Sequence, residues 1–339
     1  MPHVLLVPGA LMPEHEREHL EQDRVPRQLG RRLQRAARSH QRFTAAWSDG
    51  AAHLAWLAHA FGAPGDPPAA AAFALRASGA DTSGSASEVW FCDPVHLRLE
   101  PERSVLSPIE APPLSEPEAA ELFDEAADAA RGHGAELRRA GGHWYLLTDP
   151  PWRLLTTALQ AALGASVEHR LPQGEHAGRW RRLLNEVQMR WHTSRTNRER
   201  DAHGQQAANC LWLHGGGAWS PLAASPFVQV DGDDPVVRGW QQAARRSAGS
   251  PAATDSLTIW PQLFDPYWRS NWRAWATGWT ELDATVEALL RAARSAVDGR
   301  VALVACGRRS AVSFMLSGSA GLLGWRRRAL QECLLEPDS

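Results

Sequence analysis

The apolar runs of this chain are short, and this property most restricts the folds that the chain can adopt. The run at residues 3–7 is ended by Pro8 and Gly9, and the longest runs, such as Val301–Cys306, are also of strand length. None approaches the ~18 apolar residues that a membrane-spanning helix needs. A buried strand that runs into a loop at the start of the chain suits an α/β sheet, so the sequence predicts a soluble α/β protein with no membrane partner.

The chain contains no lysine, so all 36 of its Lys and Arg cations are arginine. Schiff-base catalysis, a lysine general base and a Walker-type phosphate loop are therefore excluded. The 38 acidic residues nearly balance the arginines and give a net charge of −2, so no global positive field attracts nucleic acid or an anionic membrane. Any binding of phosphate or carboxylate groups must use arginine.

Length and cysteine usage bound the organisation and the location of the protein. A chain of 339 residues, 44% of them hydrophobic, predicts about two domains with a substantial core. The four cysteines are far apart and form no C-x-x-C pair, and no signal-peptide pattern precedes the first apolar run. A cytoplasmic location is therefore expected.

Hydrophobic periodicity predicts the main elements. Strands are expected at 3–7, 88–92, 143–147 and 210–213, followed by a hairpin or strand pair made of Val301–Cys306 and Ala311–Leu316. Helices are expected from Val25 to about Arg38, from Trp47 to Phe61, from the capping box at Ser115 to about Arg131, from Trp180 to Trp191 and from Trp268 to Leu289. The segment 192–206 is read as polar, and the tryptophan-rich face of the last helix is read as core rather than as a ligand cage.

Two clusters of arginine could in principle bind nucleic acid. One is the arginine face between Arg24 and Arg38, and the other is Trp325–Arg328, where an indole adjoins three cations. Stacking and phosphate contacts by such groups bind single-stranded nucleic acid in other proteins. A solvated helix face and a helix C-terminus explain the clusters more simply, so nucleic acid is not expected as a partner.

The segment from about 88 to 217 carries the most specific motifs. They are Asp93–Leu97 (D-P-V-H-L), Leu171–Gly174 (L-P-Q-G), Trp180–Met189 (W-R-R-L-L-N-E-x-Q-M), Asn197 with Arg200 (N-x-x-R), and Leu211–Gly217 (L-W-L-x-G-G-G). In order and spacing this segment resembles the archaeal-type, cofactor-independent phosphoglycerate mutases. It is still more similar to the RpfE-type regulatory proteins of proteobacteria.

This resemblance implies an architecture. Residues 1–87 and 218–339 would form an alkaline-phosphatase-like α/β core with a doubly wound sheet. Residues 88–217 would form an inserted α+β domain of the phosphoglycerate-mutase type.

The same resemblance implies that the metal chemistry of the family is lost. The mutases carry Asp-Gly-Leu-Gly after the first strand, Pro-Gly-Ser before the nucleophile helix and Asp-His-Ser after a late strand. This chain has Pro8–Leu11, Pro67–Ala70 and Cys306–Ser310 at those places. The family's Asp-x-x-Gly-His-Asp segment is replaced by Asp265–Ser270, although Glu281 and Asp283 remain on the following helix.

A metal-free pseudoenzyme without cofactor or catalytic residues is therefore expected. It would act as a regulatory protein or bind a small phosphorylated or carboxylated acid, and a protein partner is left open. The alternative is an active phosphoglycerate mutase or phosphatase whose metal ligands have moved elsewhere in the chain.

The expected ligand-binding residues lie in the insert. Asn197, Arg200 and Asn209 either bind an anion or tie loops together, and His192 either binds an anion or lies at its helix end. The backbone of Gly215, Gly216 and Gly217 is a further candidate for anion binding.

Asp93 and His96 resemble an acid–base pair in spacing. Residues i and i+3 of a strand point to opposite faces, so a fold-fixing role for both is the alternative.

Overall fold

The computed structural model describes residues 3–20, 24–65, 67–80, 87–101, 103–109, 112–164, 166–222, 224–244, 255–293, 299–317 and 328–337. Its strands are β1 (His3–Val7), β2 (Ala37–Arg42), β3 (Glu88–Leu99), β4 (Ser104–Ser107), β5 (Ala135–Ala140), β6 (His143–Thr148), β7 (Leu154–Leu155), β8 (Gln173–Gly174), β9 (Cys210–Gly217), β10 (Phe227–Asp231), β11 (Asp255–Ile259), β12 (Arg300–Cys306) and β13 (Ser310–Ser317). Its helices are α1 (Arg27–Arg35), α2 (Ala52–Phe61), α3 (Ala70–Ala77), α4 (Glu116–Gly132), α5 (Leu159–Ala162), α6 (Ala177–Thr193), α7 (Arg195–Ala202), α8 (Pro235–Ala243), α9 (Phe264–Trp268), α10 (Trp272–Ala293) and α11 (Gln331–Leu334).

The chain forms two compact units. Unit 1 comprises Met1–Gly62, Leu222–Asp233 and Ala244–Ser339, and unit 2 comprises Ala63–Pro221 and Asp234–Ala243. The expected insert, 88–217, lies within unit 2, which also includes α3 and α8. The division into an ancestral core and an insert at those exact bounds stays a prediction.

Unit 1 is built on a mixed sheet of strand order β10-β11-β1-β12-β13-β2. The first four strands are parallel, and β13 and β2 are antiparallel to their neighbours. The predicted strand at 3–7 is confirmed, as is the pair formed by Val301–Cys306 and Ala311–Leu316. Because β1 lies between β11 and β12, residues Val4–Val7 are all buried, as a central parallel strand requires.

Tryptophans of α10 fill the core of unit 1, as the helical spacing predicts. Trp272, Trp275 and Trp279 pack edge to face along the helix, with ring centroids 6.0 and 5.6 Å apart. The Trp275 indole N–H also donates to the Gly9 carbonyl at 2.6 Å. Trp268 does not belong to this helix, because it ends α9 and residues 269–271 intervene.

The helix predicted from Val25 ends earlier than its arginine pattern indicates. Helix α1 stops at Arg35, and Ala36 adopts an extended backbone. Arg38 lies in β2, where it is opposite Phe314 of β13. Pairing with a neighbouring strand therefore overrides the local helical periodicity.

Unit 2 contains a sheet of order β4-β3-β6-β5, with β9 also paired to β3. The predicted strands at 88–92, 143–147 and 210–213 are confirmed within β3, β6 and β9. The capping box at Ser115 begins α4, with Glu118 bonding back to the Ser115 N–H at 2.7 Å.

The polar segment 192–206 is largely helical, which its low hydrophobicity did not indicate. Helix α6 continues to Thr193, and α7 follows at once because Ser194 caps it through the Asn197 N–H at 3.2 Å. Trp325–Arg327, part of the second arginine cluster, lie outside the described residues.

The chain is therefore a mixed α/β protein with several sheets. The doubly wound arrangement stays a prediction. Across the described ranges, no helix combines the length and the apolar character needed to cross a bilayer. All four cysteines are buried thiols.

Trp275→Ala should lower the free energy of unfolding by ~3–5 kcal/mol, because it removes a buried ring and the bond to Gly9. Chemical denaturation measures this loss. Trp219→Ala serves as the control, since Trp219 is 37% exposed, and it should cost much less. Equal unfolding curves for Trp275→Ala and the unmodified protein would show that this face is not core.

His53 should make stability depend on pH. Burial lowers its pKa to about 4, from an ordinary 6.5. Between these pH values His53 is protonated in the unfolded chain but neutral in the folded chain. The free energy of unfolding should therefore fall as the pH drops from 6.5 to about 4, by roughly 3 kcal/mol. Denaturation of His53→Gln should show no such fall in stability over this pH interval. His40→Gln, which changes an exposed histidine, should still show it. Identical dependence of stability on pH in all three proteins would contradict the role of His53.

Candidate functional site

The carboxyl ends of the parallel strands of unit 1 lie at one edge of its sheet. The segments that follow β1 and β12 meet there, since the Leu11 N–H donates to the Cys306 carbonyl at 3.2 Å. Open α/β sheets bind their ligands at this edge. The residues at this edge are therefore the candidates for a ligand site in unit 1.

Two arginines and a buried aspartate form a charged cluster directly after β12. Arg308 donates to both carboxylate oxygens of Asp49, from Nε at 2.6 Å and from Nη2 at 3.0 Å. Arg309 adds a third bond from its Nε at 3.1 Å. The Asp49 side chain is 8% exposed, whereas those of Arg308 and Arg309 are 40% and 54% exposed.

The arginines determine the charge state of Asp49. Burial alone raises the pKa of this carboxyl, but the hydrogen bonds and charges of Arg308 and Arg309 outweigh burial and lower the pKa to about 2. Asp49 is therefore ionised at neutral pH and holds the two guanidinium groups side by side. The Gly50 N–H fixes the same turn by donating to the Arg308 carbonyl at 2.8 Å.

The edge does not fit the metal pair that the resemblance to phosphoglycerate mutases implies. Pro8 stands where the mutases carry the Asp of Asp-Gly-Leu-Gly, and its side chain has no donor for a metal. The next residue, Gly9, has a φ of +72°, and an added Cβ there would lie 2.9 Å from the Tyr267 Cβ. Cys306 is fully buried, and burial raises the pKa of its thiol. Among the residues that the structure describes, no group of three or more His, Cys, Asp or Glu side chains is placed to hold a metal ion.

Arg200, predicted as an anion ligand, is buried inside unit 2 with its guanidinium occupied. Its three nitrogens donate to the Gln206 carbonyl at 2.7 Å, to Glu118 at 3.0 Å and to the Pro112 carbonyl at 2.7 Å. The side chain is 1% exposed. These contacts fit the alternative in which Arg200 ties loops together rather than binding an anion.

The two predicted asparagines also make contacts within the fold. Asn197 Nδ2 donates to the carbonyls of Trp191 and Ala208, and its Oδ1 accepts from the Ala208 N–H. Asn209 exchanges two side-chain bonds with the backbone of Leu97, at 2.6 and 3.0 Å. Both side chains thus pair backbone groups that would otherwise lack partners.

The predicted histidines have separate positions. His192 is exposed in the last turn of α6, beside the carbonyl end of the helix. His96 bonds the Ala207 carbonyl through Nδ1 at 2.8 Å and does not pair with Asp93. Strand alternation, which puts i and i+3 on opposite faces, accounts for the separation.

Gly215, Gly216 and Gly217 belong to β9 rather than to a turn after it. A Cβ at Gly216 would overlap the Trp90 ring at 1.8 Å, so close packing explains its small size. Asn209 precedes the other end of the same strand, and the rise per residue separates the two ends by roughly 20 Å. The structure therefore does not bring these glycines together with Asn197 and Arg200.

An unpredicted partner of Asp93 is His214. Asp93 Oδ2 lies 2.6 Å from His214 Nε2, and the Phe91 ring stacks on the imidazole with centroids 5.1 Å apart. Phe91 is opposite both Tyr145 and His214 in the strand ladders, so these side chains share one face with Asp93 two residues along. The pair was not visible in the sequence because only the strand register joins residues so far apart.

Tyr145 completes this face. Its buried hydroxyl has no hydrogen-bond partner among the described residues. Burial, together with the charge of Asp93, raises the pKa of Tyr145 to about 12, so the phenol stays neutral. Chemically, the face offers a carboxylate-oriented imidazole and a neutral hydroxyl.

Arg200→Ala should destabilise the protein by several kcal/mol, since it leaves the two carbonyls and Glu118 without their donor. Arg198→Ala is the matched control, because Arg198 is an exposed residue of the same helix, α7. Denaturant titration compares the two. A stability loss no larger than that of Arg198→Ala would contradict the loop-tying role.

Comparison with known proteins gives a likeness at low identity. No family model and no curated protein matches the chain. It is similar to the cofactor-independent phosphoglycerate mutase from Thermoplasma acidophilum, with 12% identity, a TM-score of 0.39 and coverage of 97% of this chain and 94% of the other. It is also similar to the PH0037 protein from Pyrococcus horikoshii, with 12% identity, a TM-score of 0.46 and coverage of 98% and 92%. At TM-scores this low, the likeness assigns no activity to the chain.

Proposed function

We propose that this protein is a metal-independent regulatory protein that binds a small phosphorylated or carboxylated acid through Arg308 and Arg309. The observation that carries the proposal is the pairing of these arginines with buried Asp49 at the carboxyl edge of the parallel strands. No catalytic residue is proposed.

Arg309 has the capacity that anion binding needs. Its Nε is used by Asp49, but neither terminal nitrogen bonds another residue that the structure describes. More than half of the Arg309 side-chain surface is exposed to solvent. A guanidinium held in place by a carboxylate binds phosphate or carboxylate with little loss of rotamer entropy.

The same cluster opposes metal-dependent phosphoryl transfer. Such transfer requires carboxylates and imidazoles that are available to divalent cations. Asp49 is already neutralised by two guanidinium groups, which would repel any cation placed beside them. Pro8, Ala69, Ala70 and Cys306 also stand where the mutases carry metal-site and nucleophile motifs. Together, these features support a mutase-like protein that has lost metal-dependent catalysis.

We further propose a relation to a family of regulatory proteins and a cytoplasmic location. The order of motifs between 88 and 217 supports a relation to the RpfE-type regulatory proteins. Four buried thiols fit a reducing, cytoplasmic location.

Calorimetry with 3-phosphoglycerate in the presence of a chelator tests the binding. Arg309→Gln should weaken binding about 10- to 150-fold, because it removes charge-assisted bonds worth roughly 1.5–3 kcal/mol. Arg300→Gln is the matched control, since Arg300 is exposed at the start of β12, the strand that Arg309 follows. This variant should bind 3-phosphoglycerate as the unmodified protein does. No binding by the unmodified protein, or equal loss in both variants, would refute the proposal.

A mutase assay with added Mn²⁺ tests the absence of catalysis. The proposal expects no interconversion of phosphoglycerates and no stoichiometric metal in the purified protein. Turnover that a chelator abolishes would instead support the alternative of an enzyme with relocated metal ligands.

A further inference from the structure

The turn that follows β12 binds a carboxylate of the chain itself. Glu336 accepts a hydrogen bond on each oxygen, from the Arg308 N–H at 3.0 Å and from the Arg309 N–H at 2.6 Å. Successive backbone N–H groups that converge on one anion form the concavity by which many proteins bind phosphate or carboxylate. The turn 307–309 therefore has the geometry of an anion site, and a side chain fills it.

Gly307 makes the close approach of this carboxylate feasible. A Cβ at this position would lie 2.8 Å from Cδ of Glu336 and 2.9 Å from one of its oxygens. Any other residue would displace the carboxylate from the N–H groups. The glycine thus leaves space for an anion at the end of β12.

A short segment brings Glu336 to the turn. The Met12 N–H donates to the Leu334 carbonyl and the Glu336 N–H donates to the Met12 carbonyl, both at 2.8 Å. The Glu336 side chain itself is only half-buried. Rotation of this side chain would free both N–H groups without breaking the backbone bonds to Met12.

We infer that the turn 307–309 is a carboxylate-binding site which Glu336 occupies in competition with an external ligand. The ligand class is a small acid with two anionic groups: its carboxylate replaces that of Glu336 on the two N–H groups, and its second group contacts the terminal nitrogens of Arg309. This inference rests on the proposed anion-binding function, and it adds both the class of ligand and the means by which the chain limits its affinity.

Succinate, a dicarboxylate, is the probe, with acetate as its single-charge counterpart and inorganic phosphate as the carboxylate-free anion. Glu336→Gln keeps the side-chain shape but removes the competing charge. It should bind succinate about tenfold more tightly or better, because a larger fraction of the protein has an open site. Glu332→Gln is the matched control, since Glu332 is exposed in the same segment, and its affinity should be unchanged. Acetate and phosphate should bind Glu336→Gln more weakly than succinate does.

Calorimetry separates this inference from the function on which it rests. If Arg309→Gln weakens succinate binding but Glu336→Gln does not strengthen it, competition by Glu336 is refuted and the arginine site stands. If Glu336→Gln strengthens binding while Arg309→Gln has no effect, the turn stands as the carboxylate site and the role of Arg309 is refuted. Binding of succinate to neither the unmodified protein nor Glu336→Gln overturns the inference, whereas the proposed function is refuted only if 3-phosphoglycerate also fails to bind.

Nuclear magnetic resonance provides a readout on the unmodified protein. Saturating succinate should shift the side-chain carboxyl signal of Glu336, because that group leaves the two N–H donors, while the signal of Glu332 should stay in place. An unmoved Glu336 signal at saturation overturns the inference even if the variant fails to fold.

Discussion

The pairing of Asp49 with Arg308 and Arg309 determines what the carboxyl edge of unit 1 can accept. Two adjacent guanidinium groups repel one another, and the shared carboxylate holds them together at the end of β12. Since the arginines lower the pKa of Asp49 to about 2, the pairing persists at neutral pH. A divalent cation placed beside this carboxylate would meet two positive charges.

The core of unit 1 keeps this edge in position. Strand β1 lies between β11 and β12, and the Trp275 indole bonds the Gly9 carbonyl just beyond the end of β1. Gly9 itself packs against Tyr267 so closely that a side chain would not fit. The tryptophans of α10 therefore stabilise the unit, and Trp275 also holds the segment that follows β1 in position.

Local patterns in the sequence predict the elements whose burial is uniform. The strand at 3–7 and the tryptophan face of α10 follow directly from apolar spacing, and the capping box locates the start of α4. The early end of α1 was not predictable in this way, because β2 is set by pairing with β13. The helix α7 was missed because its polar residues are stabilised by contacts with other parts of unit 2.

The candidate sites depend on contacts that no local pattern encodes. Asp49 and Arg308 are 259 residues apart in sequence, and Asp93 and His214 are 121 apart. The resemblance to the mutases implies Arg200 and Asn197 as ligand-binding residues, but both side chains are buried and bonded to the backbone. The exposed Arg309 could be identified only once the strand order placed it beside Asp49.

The central claim is that arginine, rather than metal, meets the ligand at this edge. The most direct test is nuclear magnetic resonance of the side-chain Nε–H groups of Arg308 and Arg309 while 3-phosphoglycerate and then Mn²⁺ are added. Binding of either reagent at this edge would change the signals of the same two groups. The account predicts that 3-phosphoglycerate shifts both signals in the presence of a chelator, and that Mn²⁺ in the absence of a chelator leaves them sharp. Selective paramagnetic broadening of these signals by Mn²⁺, with no shift by 3-phosphoglycerate alone, would contradict it.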